Sequence, residues 1–180
     1  KPTESLSEYN EKNGIQSKSA TFTLAADKKS VNVVINASGW FCKYKFNYTI
    51  TADGALLIDA AYNVVPKDAR RIGLSLVFPA DFEQVEYYAY GPFENYVDRR
   101  GGSSLGRYYT TVSDMFEPYP KPQSMGNREG LRDLFLFNPD EGYGVKVLTR
   151  GNVAFSLLHY SDVDLKKANH TWELQKGDVY

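Results

Sequence analysis

The sequence predicts an all-β fold, a large sandwich of antiparallel sheets, on three observations. Apolar and polar residues alternate with period two along most of the chain, the spacing that puts successive side chains on opposite faces of a strand. About ten such runs recur at regular intervals, the rhythm of an antiparallel sandwich. Helix-forming stretches are scarce.

Ala20–Leu24 and Ser30–Ala37 are the first two expected strands. The clearest pattern follows in FNYTITADGALLIDAAY, where Phe46, Tyr48 and Ile50 alternate with polar neighbours before Asp53 and Gly54. That pair tolerates positive φ in a two-residue hairpin turn, and Leu56, Ile58 and Ala60 continue the return strand. RIGLSLVFP reads as a strand over 71–79 with Ile72, Leu74, Leu76 and Phe78 on a core face, ended by Pro79, which has no N–H to give. Val85–Tyr90, Tyr108–Val112, Leu131–Asn138, Tyr143–Leu148, Val153–Tyr160 and Thr171–Leu174 complete the expected strands, with Phe135 and Phe137 assigned to the core. One short helix is expected in SDVDLKKAN: Ser161 caps it, Asp164 closes a capping box, and Lys166 and Lys167 suit the negative end of the dipole.

No repeat, low-complexity tract or Ser/Pro/Gly linker divides the chain, so residues 1–180 are expected to form one domain. Hydrophobic residues make up 42% and charged residues 24%, enough apolar surface for a sizeable core. With 21 basic and 22 acidic residues and no basic block, nucleic-acid binding is not expected. No apolar run approaches the roughly 20 residues of a membrane-spanning helix, and Lys1–Tyr9 has no signal-peptide core. Cys42 is the only cysteine, which excludes an internal disulfide and any CxxC zinc site. Aromatics are abundant, at 14%; they suit strands, and flat rings also suit sugar faces.

The longest irregular stretches are 91–107 and 113–130, and loops of that length usually serve a function or meet a partner. YGPFENYVDRRGG, at the head of the first, holds two carboxylates, two arginines, three aromatics and three glycines. Its arginines and carboxylates can brace irregular backbone through bidentate bonds. Glu94 and Asp98 are expected to pair with Arg99 or Arg128, Asn95 and Tyr96 to bond backbone that no sheet satisfies, and removal of Arg99 to cost more than about 2 kcal/mol. A retaining glycosidase needs two carboxyl groups about 5.5 Å apart. Glu94 with Asp98, Asp81 with Glu83 and Asp162 with Asp164 are the candidates, and each has a local explanation in ion pairing or capping. No serine or cysteine is marked as a nucleophilic partner for His159 or His170, and His159 reads as a satisfied histidine at the core edge. The three Asn-x-Ser/Thr triplets, at Asn36, Asn47 and Asn169, carry little weight.

Tyr87 to Leu134 resembles the C-terminal small-chain domain of the large β-galactosidases of glycoside hydrolase family two. That family's pattern runs W-Y-G-x-G-P-x-E-N-Y-x-D-R, then D-M-x-x-P-Y-x-x-P-Q-E-N-G-N-R. Gly91, Pro92, Glu94, Asn95, Tyr96, Asp98 and Arg99 match the first block. Asp114, Met115, Pro118, Tyr119, Pro122, Gln123, Gly126, Asn127 and Arg128 match the second. RIGLSLVFP and LHYSDVDLKKANHTWEL are similar to the flanking segments, so the likeness runs from about Trp40 onward.

The resemblance implies a supersandwich like that of galactose mutarotase, here a fragment incomplete at both ends of a multidomain enzyme. It also implies partners, namely the catalytic barrel of the same polypeptide and, in the full enzyme, galactoside sugars. Glu94, Asn95, Tyr96, Asp98, Arg99, Asn127 and Arg128 are then expected to make carbohydrate or interdomain contacts, with no catalytic residue and no metal ligand in this chain. The family's catalytic glutamates and its Mg and Na sites lie in other domains, so no cofactor is expected here and no hydrolysis by this chain alone. Ser124-Met125 replaces the family's Glu-Asn, the upstream R-A-P-x-D-N-D motif is absent, and the chain stops at GDVY before the family's tryptophan-bearing loop. The compartment this implies is a bacterial cytoplasm or periplasm. An independent carbohydrate-binding module is the alternative, motivated by the tyrosines; a mutarotase-like enzyme would need a histidine-plus-carboxylate site.

Overall fold

The computed structural model describes residues 16–38, 43–64 and 71–180. Lys1–Tyr9, Trp40 and Cys42 lie outside them. The chain divides between Ile72 and Gly73 into two compact units, each built on one four-stranded antiparallel sheet. The all-β expectation is met.

In the first unit β1 (Gln16–Leu24), β2 (Ser30–Ser38), β3 (Lys43–Thr51) and β4 (Leu56–Val64) lie side by side in chain order. The hairpin expected at Asp53-Gly54 is present: Ile50 faces Leu56, Tyr48 faces Ile58 and Phe46 faces Ala60. Gly54 takes a positive φ of 89°, a conformation open to glycine without steric cost. Phe46 is buried, with the Tyr44 ring 5.0 Å away and Tyr62 edge-on at 5.8 Å. Its neighbours across the sheet, Ile35 on β2 and Ala60 on β4, share its face.

In the second unit β5 (Gln84–Gly91), β6 (Ser104–Thr111), β7 (Arg128–Asn138) and β8 (Tyr143–Phe155) form a sheet of order β6-β5-β7-β8. Val85, Tyr87 and Ala89 from β5 and Leu134 and Leu136 from β7 line its core face, joined by Phe82, Val112, Met115, Leu157 and Val179. Helix α1 (Asp162–Lys167) has the capping box read from the sequence: the Asp164 N–H donates to Ser161 Oγ and the Ser161 N–H to the Asp164 carboxylate. Leu165 anchors it against Met125 and Leu158.

Several expectations are corrected. Residues 71–77 form no strand, and Ile72, Leu74 and Leu76 are 52%, 46% and 44% exposed. Only Phe78 meets a ladder partner, Val179, and packs against the core. Phe135 and Phe137 lie on the face opposite Leu134 and Leu136, stacked on each other with centroids 4.8 Å apart. Both parities of that strand are apolar, so its orientation is set by register against β5. β6 begins four residues earlier than expected, which shortens the first loop. Val153–Phe155 belong to the end of β8, while 156–160 lie outside it. Thr171–Glu173 is a 3₁₀ turn, held by the Asn169 N–H and His170 Nδ1 on the Glu173 carboxylate at 2.8 and 3.0 Å.

Candidate functional site

The two loops after β5 and before β7 meet at the end of the second unit's sheet, and Asn95 joins them. Asn95 is fully buried. Its Nδ2 donates to the Tyr90 and Phe93 carbonyls, both at 3.0 Å, and its Oδ1 accepts the Glu129 N–H at 3.0 Å. The Asn95 N–H donates to the Asn127 carbonyl at 2.8 Å, and Asn127 Nδ2 donates back to the Asn95 carbonyl at 2.7 Å. One amide thus satisfies backbone groups that no sheet ladder reaches.

Glu94, next to it, is the charged centre. Its carboxylate accepts from the Gly126 N–H at 2.9 Å and the Tyr96 hydroxyl at 3.1 Å, and is bonded by the Tyr119 hydroxyl and the Arg99 guanidinium. Burial pushes this carboxyl up, but the hydrogen bonds from Tyr119, the Gly126 N–H and Tyr96, with the Arg99 charge, outweigh it and hold Glu94 below the usual carboxylate range. Burial and then the nearby Glu94 charge raise the Tyr96 hydroxyl above its ordinary value. Burial and the same Glu94 charge push the Glu117 carboxyl up.

Glycine is required twice. A Cβ on Gly91 would lie 2.7 Å from the Tyr87 hydroxyl, and that hydroxyl donates to the Pro92 carbonyl at 3.0 Å. Gly126 has φ +74°, and a Cβ there would lie 2.8 Å from the Met115 carbonyl; the backbone turn puts its N–H on Glu94.

Of the seven residues singled out, five come together in the loop pair, Glu94, Asn95, Tyr96, Arg99 and Asn127, and the expected pairing of Glu94 with Arg99 is among their contacts. Arg128 is buried but pairs with no carboxylate among the described residues; it donates to the Gly126 carbonyl at 2.7 Å and to the Pro92 carbonyl at 3.1 Å, leaving its Nε without a partner. Carbonyls converge on it because both loops reverse there. Asp98 is exposed and joins neither arginine, because the turn from Tyr96 to Arg99, closed by reciprocal backbone bonds, points it outward. Tyr119 and the Gly126 N–H were missed as Glu94 partners, although both lie in the second signature block.

Two further clusters appear. His159, buried, places Nε2 2.7 Å from Glu83 and Nδ1 3.2 Å from the Gly177 carbonyl, while the Ser113 N–H donates to Glu83 at 3.0 Å. Both ring nitrogens are occupied, as the reading of a satisfied core-edge histidine requires. Arg107 forks onto Asp133 at 2.9 and 3.1 Å and reaches Glu86 at 2.7 Å, on the sheet face opposite the core. Among the described residues no group of three His, Cys, Asp or Glu side chains could hold a metal ion, and no helix is long and apolar enough to cross a membrane.

The carboxylate most enclosed by the loops therefore accepts from four donors, an arrangement that suits a brace. An open cavity of about 330 Å³ beside it is lined by Phe93, Glu94, Arg99, Arg100, Gly101, Gly102 and Ser103. A family model described as "Beta galactosidase small chain" matches residues 3–180. The chain belongs to the β-galactosidase small-chain family. A β-galactosidase of Halalkalibacterium halodurans is 34% identical over 137 residues, 72% of this chain and 13% of the relative. One from Streptococcus thermophilus is 35% identical over 139 residues, covering 75% and 13%, and one from Lactococcus lactis is 39% identical over 135, covering 73% and 13%. The chain thus spans about 13% of the length of these relatives.

Proposed function

We propose that the chain is a single non-catalytic domain of a β-galactosidase, that it packs against the catalytic barrel of the same polypeptide, and that its braced loop pair helps shape the galactoside site. One observation carries this reading. The brace turns Glu94 and Asn95 inward while Phe93 and Val97, on the same loop, stand 72% and 78% exposed. A stiff loop that holds two large apolar side chains in water is suited to dock on another protein surface. Glycoside hydrolysis then belongs to carboxylates in the barrel, and this chain contributes position. Purified chain incubated with a chromogenic galactoside tests it: no hydrolysis is expected, and a rate that persists through further purification would overturn the reading.

A second reading, an independent carbohydrate-binding module, draws on Trp172. Its indole is 77% exposed and stacked on His170 at 4.2 Å and 10°, with His170 held by Glu173. A fixed, exposed ring is a platform for the C–H face of a pyranose. Saturable quenching of Trp172 fluorescence by galactose or lactose would favour this reading over the first.

A further inference from the structure

The turn that follows the brace carries guanidinium groups the chain itself does not use. Arg99 commits one nitrogen, Nη2, to Glu94 and to the Tyr119 hydroxyl; its Nη1 and Nε bond no acceptor among the described residues. Arg100 bonds none through any side-chain nitrogen. Its guanidinium lies over the Tyr90 ring, 4.9 Å from the centroid, a contact that holds the cation in place without meeting its hydrogen bonds. The Ser103 N–H closes the turn on the Arg100 carbonyl at 3.1 Å, and Gly101 and Gly102 lie between them. A Cβ on either glycine would meet nothing within 4 Å, so the turn leaves open space beside both arginines.

That space is the cavity of about 330 Å³, whose lining Phe93, Glu94 and Ser103 complete. Its charged groups are two cations and one carboxylate, and the carboxylate already accepts from four donors. Asp98, next in sequence to Arg99, joins neither arginine. Apart from the Ser103 hydroxyl, the side-chain polar groups left unfilled are therefore donors only. A sugar hydroxyl both donates and accepts, and would find few free acceptors there. An anion bearing oxygen acceptors fits, and the planar guanidinium fork matches a carboxylate with two parallel bonds. The same turn holds Phe93 and Val97 exposed. A small free anion has no use for them, whereas an aromatic ring beside an arginine is the composition of a protein–protein contact.

We propose that the cavity receives a carboxylate, carried by an aspartate or glutamate on the surface of the catalytic barrel, which seats between Arg99 and Arg100 while Phe93 and Val97 pack beside it. The proposal rests on the reading of the loop pair as a docking surface for the barrel, and adds the charge of the group that it meets. Arg99 then bridges two carboxylates, Glu94 inside the brace through Nη2 and the partner group outside through Nη1 and Nε. Closing the two surfaces removes water from the pair, which strengthens it over the exposed contact that Arg99 makes in the chain alone. An arginine that contributes little to the fold thus ties the brace to its partner, and Arg100, free of any bond within the chain, is kept for the same group.

The test changes Arg100 to Glu and, separately, to Lys, in the isolated chain and in the longer enzyme to which the proposed function assigns it. Because Arg100 bonds no acceptor within the chain, both isolated variants should melt within about 2 °C of the parent. In the longer enzyme Arg100→Glu sets two carboxylates against each other where the loop pair shapes the galactoside site, and kcat/KM should fall by about tenfold or more. Arg100→Lys keeps the charge but not the fork and should lose only about threefold. A fall of less than about threefold with Arg100→Glu would overturn the proposal. So would equal losses from both substitutions, or a larger melting shift in the isolated chain, since either marks a structural role for the turn. Parent activity that rises with added acetate at constant ionic strength, and no longer does so in Arg100→Glu, would put a free anion in the cavity and overturn it as well. The docking reading is tested separately, by replacing Phe93 and Val97: impairment there beside an unimpaired Arg100→Glu enzyme would sink the carboxylate and keep the docking surface.

Discussion

Asn95 and Asn127 exchange two hydrogen bonds across the loop pair, from the Asn95 N–H to the Asn127 carbonyl and from Asn127 Nδ2 to the Asn95 carbonyl, at 2.8 and 2.7 Å. Two irregular segments 32 positions apart in the chain are thereby locked in one register. Asn95→Ala removes three side-chain bonds and strands the buried Glu129 N–H, so it is expected to cost on the order of 3 kcal/mol. Urea denaturation of the purified chain measures this. Asn95→Asp should lose nearly as much, because a carboxylate cannot donate to the Tyr90 and Phe93 carbonyls.

Arg99 is worth less than its place in the signature suggests. Its side chain is 60% exposed whereas that of Glu94 is 8% exposed, and Glu94 keeps Tyr96, Tyr119 and the Gly126 N–H when the arginine is gone. Arg99→Ala is therefore expected to cost little, as loss of an exposed ion pair does, and not the larger loss that pairing of a buried carboxylate implies from sequence. Glu94→Ala, which leaves the Gly126 N–H and two hydroxyls without their acceptor, should cost more than Arg99→Ala in the same denaturation series.

Glu94 also sets an acid limit. Its folded pKa lies below the ordinary carboxylate value of about 4.3, so the unfolded chain binds the proton first as pH falls. The stabilisation it supplies is complete above the unfolded pKa and is lost as pH drops through the folded one. Glu83 acts in the same direction: burial raises it, but hydrogen bonds from Ser113 and His159 outweigh that and lower it. Stability followed from pH 6 to pH 2 should be level and then decline below about pH 4, and Glu94→Gln should make the decline shallower.

Substitutions separate the buried face of β7 from the segment before Phe78. Leu136 is 1% exposed and faces β5, so Leu136→Ala is expected to cost about 2 to 5 kcal/mol. Leu74, which alternation alone assigns to the core, is exposed in this chain, and Leu74→Ala should change stability by no more than about 0.5 kcal/mol. Thermal melts of both variants test the burial of Leu136 and the exposure of Leu74.

The strands were legible where one face alone was apolar and a turn residue fixed the phase, as in the Phe46–Tyr62 hairpin. They were not where Leu134, Phe135, Leu136 and Phe137 offered two apolar faces, nor at Leu74 and Leu76, whose pattern is strand-like without a ladder partner among the described residues. Within the loops, the signature located Glu94, Asn95 and Asn127. It could not show that Tyr119 folds back onto Glu94 or that Arg128 binds carbonyls, because such contacts depend on how two distant loops meet. The pair of buried His159 and half-buried Glu83 joins residues far apart in the chain, with no local spacing to announce it.

The account turns on the loop pair as a docking surface, and Phe93 and Val97 test that most directly. Both are changed to serine, in the isolated chain and in the longer enzyme to which the proposed function assigns it. The exposed side chains make no contribution to the brace, so the isolated double variant should melt within about 2 °C of the parent. In the long enzyme kcat/KM should fall by about tenfold or more. Full activity in the long enzyme, with Phe93 and Val97 both replaced, would contradict the account.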